Sequence, residues 1–217
     1  EPIPGNHREK QSMQVGVLAL QGAFREHSKM IEKNGEKAVE IRLPVELDRV
    51  SALVIPGGES TTISKLMVEY AFPERIKEFA ASGRPIFGTC AGMIVLAGNQ
   101  DGRRQDLLGL IDIDVKRNAY GRQVASREVD LEIETLGGEP FRAVFIRAPI
   151  IEKLGPGVIP LARYLDKVVM ARQENIIVTA FHPELTGDPR IHRYFLNMAG
   201  EWEKNPFAFR RPQAHSA

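Results

Sequence analysis

The chain has little of several things, and each shortage excludes a class of protein. It holds a single cysteine among 217 residues, so no internal disulfide can staple it and no Cys/His cluster with metal-ligand spacing is present. A lone thiol fits a reducing, cytoplasmic setting. No apolar run approaches the roughly 20 residues that span a bilayer, and none forms a signal-peptide core. An excess of one charge sign is missing too. Lys and Arg total 29 against 28 Asp and Glu, a formal net charge of +1, which provides no global field toward nucleic acid or an anionic membrane. Neither partner is expected. Repeats and low-complexity tracts are absent. What remains is an ordinary composition, long enough for one domain to bury a core unaided.

The ends read differently from the middle. Residues 1–12 carry two prolines, a glycine and mixed charges ahead of Met13, and read as a tag remnant or disordered leader. Residues 13–204 read as the domain. Residues 205–217, beginning Asn205-Pro-Phe-Ala-Phe-Arg-Arg-Pro212, lack periodicity and read as a C-terminal surface arm.

Between them the pattern alternates. Val15 to Leu20, Ala38 to Leu43, Ala52 to Ile55 and Pro85 to Phe87 are short apolar strands. Amphipathic stretches separate them: Phe24 to about Lys33, a helix from Ser60 to about Tyr70 with Ser60 and Thr61 as N-cap candidates, and a stretch from Pro73 to Gly83. Met93 to Ala97 reads as a further helix. Strands buried on both faces and alternating with helices imply a mostly parallel sheet covered on both sides. After Gly102 the strands crowd together (Leu110 to Val115, Val129 to Ile133, Ala143 to Ile146, Val168 to Ala171, Ile176 to Phe181), which implies an antiparallel extension or edge. Arg190 to about Lys204 closes the domain as a helix. In such sheets ligands bind beyond the carboxyl ends of the parallel strands, so the loops after Leu20, Ile55, Phe87 and Phe181 should converge.

Those loops hold the chemistry. Gly88-Thr-Cys90-Ala-Gly92 puts the thiol on a sharp strand-to-helix turn, where a nucleophile is lifted out of the sheet and the first free N–H groups of the helix favour negative charge on it. The flanking glycines suit a turn that needs conformational freedom and room for a substrate. The competing reading is an inert buried cysteine. Phe181-His182-Pro-Glu184 sets an imidazole at a strand end with a carboxylate two residues on, the orienting group that a Cys–His pair needs; alone, it is equally a turn histidine beside a solvated glutamate. Pro56-Gly57-Gly58-Glu59-Ser60 can turn backbone N–H groups inward as a nest and hold an oxyanion, with the Ala91 N–H as second donor, or serve only as a strand-to-helix turn. Arg117 and Arg147 suit bidentate capture of an α-carboxylate, although most arginines are simply solvated.

Taken together, Gly88-Thr-Cys90-Ala-Gly92 and His182-Pro-Glu184 resemble a class I (triad) glutamine amidotransferase domain. The segments Gly16 to Gly22, Leu43-Pro44, Pro56 to Thr62, Arg117 to Gln123, Phe145 to Pro149, Phe181 to Thr186 and His192-Arg-Tyr-Phe195 narrow the resemblance to the glutaminase subunits of pyridoxal 5′-phosphate synthase, the PdxT/SNO family. It covers Met13 to about Trp202. The resemblance implies a flavodoxin-like three-layer α/β/α fold, Cys90 as nucleophile with His182 and Glu184 completing the triad, and an oxyanion hole at Gly58 and Ala91. It implies glutamine contacts from Gly58, Glu59, Ser60, Arg117, Ile146 and Arg147. It also implies a (β/α)8-barrel synthase partner of the PdxS/SNZ family that receives the ammonia. No cofactor or metal is expected in this chain, which lacks a Gly-rich phosphate loop and an evident Schiff-base lysine. A glutaminase subunit for another amination, or a non-catalytic module with the same fold, stays open at this point.

Overall fold

The computed structural model describes residues 12–105, 107–117 and 126–209. In chain order the elements are β1 (Gln14–Leu18), α1 (Phe24–Lys33), β2 (Lys37–Ile41), β3 (Ala52–Ile55), α2 (Ser60–Glu69), α3 (Phe72–Ala81), β4 (Ile86–Thr89), α4 (Ala91–Leu96), β5 (Ala97–Gln100), β6 (Arg103–Arg104), β7 (Ile111–Lys116), β8 (Ser126–Leu131), β9 (Phe141–Ile146), β10 (Ile150–Leu154), β11 (Ile159–Tyr164), β12 (Lys167–Gln173), β13 (Ile176–Thr179) and α5 (Arg190–Lys204). Among the described residues the main sheet has eleven strands, ordered β2-β1-β3-β4-β13-β12-β10-β7-β5-β6 with β11 on β12. Strands β2, β1, β3, β4 and β13 run parallel. Beyond β13 the pairing turns antiparallel through β12, β10 and β7. This is the mostly parallel α/β sheet with an antiparallel extension that the pattern of apolar runs implies.

Strand β4 shows how the layers form. Its side chains alternate between faces because a strand repeats every two residues. Phe87 lies on one face against His27 of α1 and against His192 and Phe195 of α5, with ring centroids 5.5–6.1 Å apart. Gly88 lies on the other, where a Cβ would stand 2.5 Å from Leu96 and 2.7 Å from the Gly92 carbonyl of α4. Helices α1 and α5 therefore cover one face and α4 the other. Phe87, Phe79, Phe72 and Ile55 are fully buried within this sandwich.

The structure departs from the sequence expectations at several elements. Strands β5, β6, β10 and β11 were not anticipated. β11 is an edge strand, half exposed and carrying Pro160, so it shows little of the alternation that marks a half-buried strand. Strand β10 begins directly after Pro149, with only three residues separating it from β9. The paired β8 and β9 form a separate two-stranded sheet rather than part of the main extension. The N-cap of α2 is Glu59, not Ser60 or Thr61. Asn205 to Phe209 form a turn after α5, in which Phe209 stacks beneath Arg172. Residues 1–11 of the leader and 210–217 of the arm lie outside the described residues.

Candidate active site

Cys90 sits between β4 and α4 with φ 50° and ψ −104°, a left-handed backbone that a non-glycine residue adopts only where its surroundings enforce it. Its N–H donates to the Thr179 carbonyl of β13 (2.8 Å) and its carbonyl accepts from Ile94 (3.2 Å). The turn is thus tied to the neighbouring strand on one side and to the new helix on the other. The strain falls on the cysteine itself. Its flanking glycines are outside the left-handed region, and the room they leave is filled by protein rather than kept for substrate: a Cβ on Gly92 would lie 2.0 Å from the Ile55 carbonyl. Both glycines let α4 approach the sheet closely.

His182 follows β13 through Ala180 and Phe181. Its N–H donates to the Val144 carbonyl of β9 (2.8 Å), which pins the small sheet against the site. Its ring Nδ1 meets Glu184 Oε1 at 2.7 Å, because the short 3-10 turn Pro183–Leu185 folds the carboxylate back under the imidazole. Cys90, His182 and Glu184 are 7%, 8% and 5% exposed. Burial opposes charge on the His182 ring. Hydrogen bonds with Cys90 and Glu184, and the negative charge beside it, outweigh that and push its pKa up to about 10. Burial also works against ionised Glu184, yet His27 and His182 hold its carboxyl below the ordinary range. With Nδ1 on the carboxylate, Nε2 is the ring nitrogen left for the thiol.

The loop after β3 closes over this pair. A Cβ on Gly57 would stand 2.5 Å from His182 Cε1 and 3.4 Å from Cys90 Cβ, so only glycine lets the loop lie there. The loop does not form the expected run of inward N–H groups, since neither Gly57 nor Gly58 has a positive φ and the N–H groups on either side of Gly58 are taken up within the protein. The Gly57 N–H donates to Thr89 Oγ1 (3.0 Å) and the Glu59 N–H to Gln21 Oε1 (2.8 Å). The Gly57 carbonyl accepts from Ala23 (3.0 Å). The Glu59 carboxylate caps α2, accepting from the Thr61 and Thr62 N–H groups and the Thr62 hydroxyl, and these bonds lower its pKa to about 2. Ser60 is buried in the first turn of α2.

On the opposite rim the Ile146 carbonyl lies 4.0 Å from Cys90 Sγ. Arg147 follows with φ 44°, a left-handed turn that leaves its side chain exposed at the mouth. Arg117 directly follows β7, three strands from β13 in the sheet order, and its guanidinium pairs with Asp101 at 3.6 Å. Residues 118–123 of its motif lie outside the described residues. Reading the sequence alone missed Gln21, which braces the Gly58 loop, and the buried polar residues His27, Thr89 and His192. The available signal was a polar Gln ending an apolar strand and a histidine at a core-facing position of each of two amphipathic helices.

The chain as a whole matches a known family. A family model described as "SNO glutamine amidotransferase family" covers residues 17–201. The chain belongs to the SNO glutamine amidotransferase family. Among curated relatives of this SNO-family chain, one from Pelotomaculum thermopropionicum is 60% identical over 184 residues, covering 85% of this chain and 94% of the relative. Another from Moorella thermoacetica is 57% identical over 188 residues, covering 87% and 100%. Both are named "Pyridoxal 5'-phosphate synthase subunit PdxT". A solved structure described as "Crystal structure of glutamine amidotransferase" superposes with a TM-score of 0.81 at 49% identity, covering 86% of this chain and 98% of the other. PurLQS from Thermotoga maritima, at 18% identity and a TM-score of 0.67, shares the fold. Membership in the SNO family makes this chain a glutamine amidotransferase, an enzyme that takes nitrogen from the glutamine side-chain amide. No helix among the described residues is long and apolar enough to cross a membrane.

Proposed function

We propose that Cys90, His182 and Glu184 hydrolyse L-glutamine to L-glutamate and ammonia, and that the ammonia passes to a synthase partner making pyridoxal 5′-phosphate. The observation that carries this reading is the convergence of a strained thiol turn with an imidazole whose Nδ1 is held by a buried carboxylate at 2.7 Å. His182 takes the Cys90 proton, and the raised basicity of its ring favours that transfer. The sulfur attacks the side-chain amide carbon, and the Gly58 and Ala91 N–H groups hold the oxyanion. The C–N bond breaks, His182 returns the proton to the departing ammonia, and water cleaves the γ-glutamyl thioester to glutamate.

In this reading glutamine lies against Gly58, Glu59, Ser60 and Ile146, with its α-carboxylate toward the exposed guanidinium of Arg147. Arg117 would exchange Asp101 for the substrate carboxylate. Glu59 acts chiefly by fixing the start of α2. Residues 13–204 form the catalytic domain, with 1–12 as a leader and 205–217 as an arm. The subunit name of the relatives supports a further synthase subunit as partner; that this subunit is a (β/α)8 barrel rests on the sequence resemblance, and the reducing cytoplasm keeps Cys90 a free thiol.

The test is glutaminase turnover by the full chain with its co-purified synthase. Cys90→Ala should fall to background, a loss of roughly 10³-fold or more, while Glu184→Gln should lose roughly 10²- to 10⁴-fold and keep a residue of activity. Wild-type turnover in the cysteine variant would end the proposal.

A further inference from the structure

Three fully buried polar groups behind the site take no part in the chemistry above: His27 on α1, Thr89 at the end of β4 and His192 on α5. Buried polar groups are costly unless partnered, and these are partnered mainly with one another. His27 Nδ1 lies 2.9 Å from His192 Nε2, and His27 Nε2 lies 3.1 Å from Thr89 Oγ1. The same Nε2 faces Glu184 Oε2 at 3.4 Å. That oxygen is buried and accepts no hydrogen bond among the described residues. Thr89 Oγ1 in turn accepts from the Gly57 N–H at 3.0 Å. One imidazole thus touches the free side of the triad carboxylate and, through one hydroxyl, the loop beside Cys90.

The proton positions follow from what each choice would leave unsatisfied. Burial lowers the pKa of both rings, so both are neutral at ordinary pH. A proton on His27 Nδ1 would aim the bare Nε2 lone pair at a carboxylate oxygen. It would also force the His192 proton onto Nδ1, a buried atom with no partner among the described residues. A proton on His27 Nε2 instead points between Thr89 Oγ1 and Glu184 Oε2, and His192 donates from Nε2. Among the ring nitrogens only a lone pair is then left unmatched, at His192 Nδ1, and an unmet acceptor is the lesser defect. The consistent arrangement is therefore a directed chain, His192 to His27 to the Thr89–Glu184 pair.

We infer that His27 is a positioning residue for the triad: backed by His192, it steers Glu184 Oε2 so that Oε1 stays on His182 Nδ1, and through Thr89 it ties that carboxylate to Gly57. The inference rests on the triad reading above. Outer partners that orient a functional ligand typically contribute 10- to 100-fold, and the effect belongs in turnover rather than in glutamine affinity, because His27 does not touch the substrate.

The experiment uses the full chain with its synthase partner and a diazoketone analogue of glutamine that alkylates Cys90 and so counts competent sites. His27→Leu should keep KM for glutamine within about twofold and lower kcat per titrated site roughly 10- to 100-fold. His27→Gln, which can return an N–H near the Nε2 position, should recover a substantial part. The signal of the proton on His182 Nδ1 should shift in the leucine variant and move back in the glutamine variant. Unchanged kcat per titrated site with fewer sites or a lower Tm would mean a merely structural histidine and overturn the inference. So would equal turnover in the Leu and Gln variants. Should His27→Leu fail to fold, Thr89→Val, which keeps the shape of the side chain, carries the test: a clear loss of kcat per site is expected, and wild-type kcat overturns the coupling. A wild-type chain whose Cys90 neither labels nor turns over glutamine would instead bring down the triad reading itself, and this inference with it.

Discussion

Cys90 and His182 act as a pair whose state each residue sets for the other. With its pKa pushed to about 10 against an ordinary 6.5, the His182 ring keeps, through the neutral range, the proton that it takes from Cys90. The direction of the shift fixes the linkage. A raised pKa stabilises the fold fully below pH 6.5, and that contribution is lost as pH rises through about 10. Because the Cys90 hydrogen bond helps hold the imidazolium, Cys90→Ala should lower the value, and so should Glu184→Gln. Histidine-labelled NMR titration checks this, and a His182 pKa unmoved by Cys90→Ala would contradict the pairing. The residues of the proposed triad were legible in combination rather than singly, since the thiol turn and the His-Pro-Glu strand end each have an inert reading alone. His27, Thr89 and Gln21 were not, because each acts through a contact distant in sequence: His27 and His192 are 165 positions apart, and no local pattern reports such a meeting.

Among the elements, the thiol turn depends on how closely α4 packs against β3 and β4. Local reasoning assigned the glycines of Gly88-Thr-Cys90-Ala-Gly92 to conformational freedom, whereas their role is proximity. A Gly92 Cβ would meet the Ile55 backbone carbonyl at 2.0 Å, and backbone cannot rotate aside as a side chain can. Gly92→Ala should therefore push α4 off the sheet, cost about 1–3 kcal/mol or more, and displace Cys90 with it. Denaturant unfolding and alkylation of Cys90 would show both effects, and an alanine variant of wild-type stability would refute the packing account. The helix stops after six residues because Ala97 already leads into β5. Ala91 to Gly98 runs without a polar side chain, so periodicity could not mark where the short buried helix ends and β5 begins.

At the scale of the molecule, the sheet binds the site together through its centre. Phe87 of β4 is fully buried between α1 and α5, two residues before Thr89 and three before Cys90. Phe87→Ala should cost roughly 3–5 kcal/mol, read as a lower urea midpoint with an unchanged slope. A loss below about 1 kcal/mol would mean that the helices collapse into the space without strain. The parallel order β1, β3, β4, β13 also explains why residues far apart in the chain meet. Their carboxyl ends share one rim, so the loops bearing Gln21, Gly57, Cys90 and His182 face one another.

By itself the sequence determined the alternation of apolar strands and amphipathic helices, and with it the layered sheet and the rim where loops gather, because burial periodicity is a local property. It determined the reactive residue types and, through their combination, the family. Only the tertiary structure decided which neighbours those residues have. The strain at Cys90, the pairing of Arg117 with Asp101 and the buried line from His192 through His27 to Glu184 all arise from contacts between segments distant in sequence. Such contacts depend on sheet order and packing distance, and these are settled when the whole chain closes around its core.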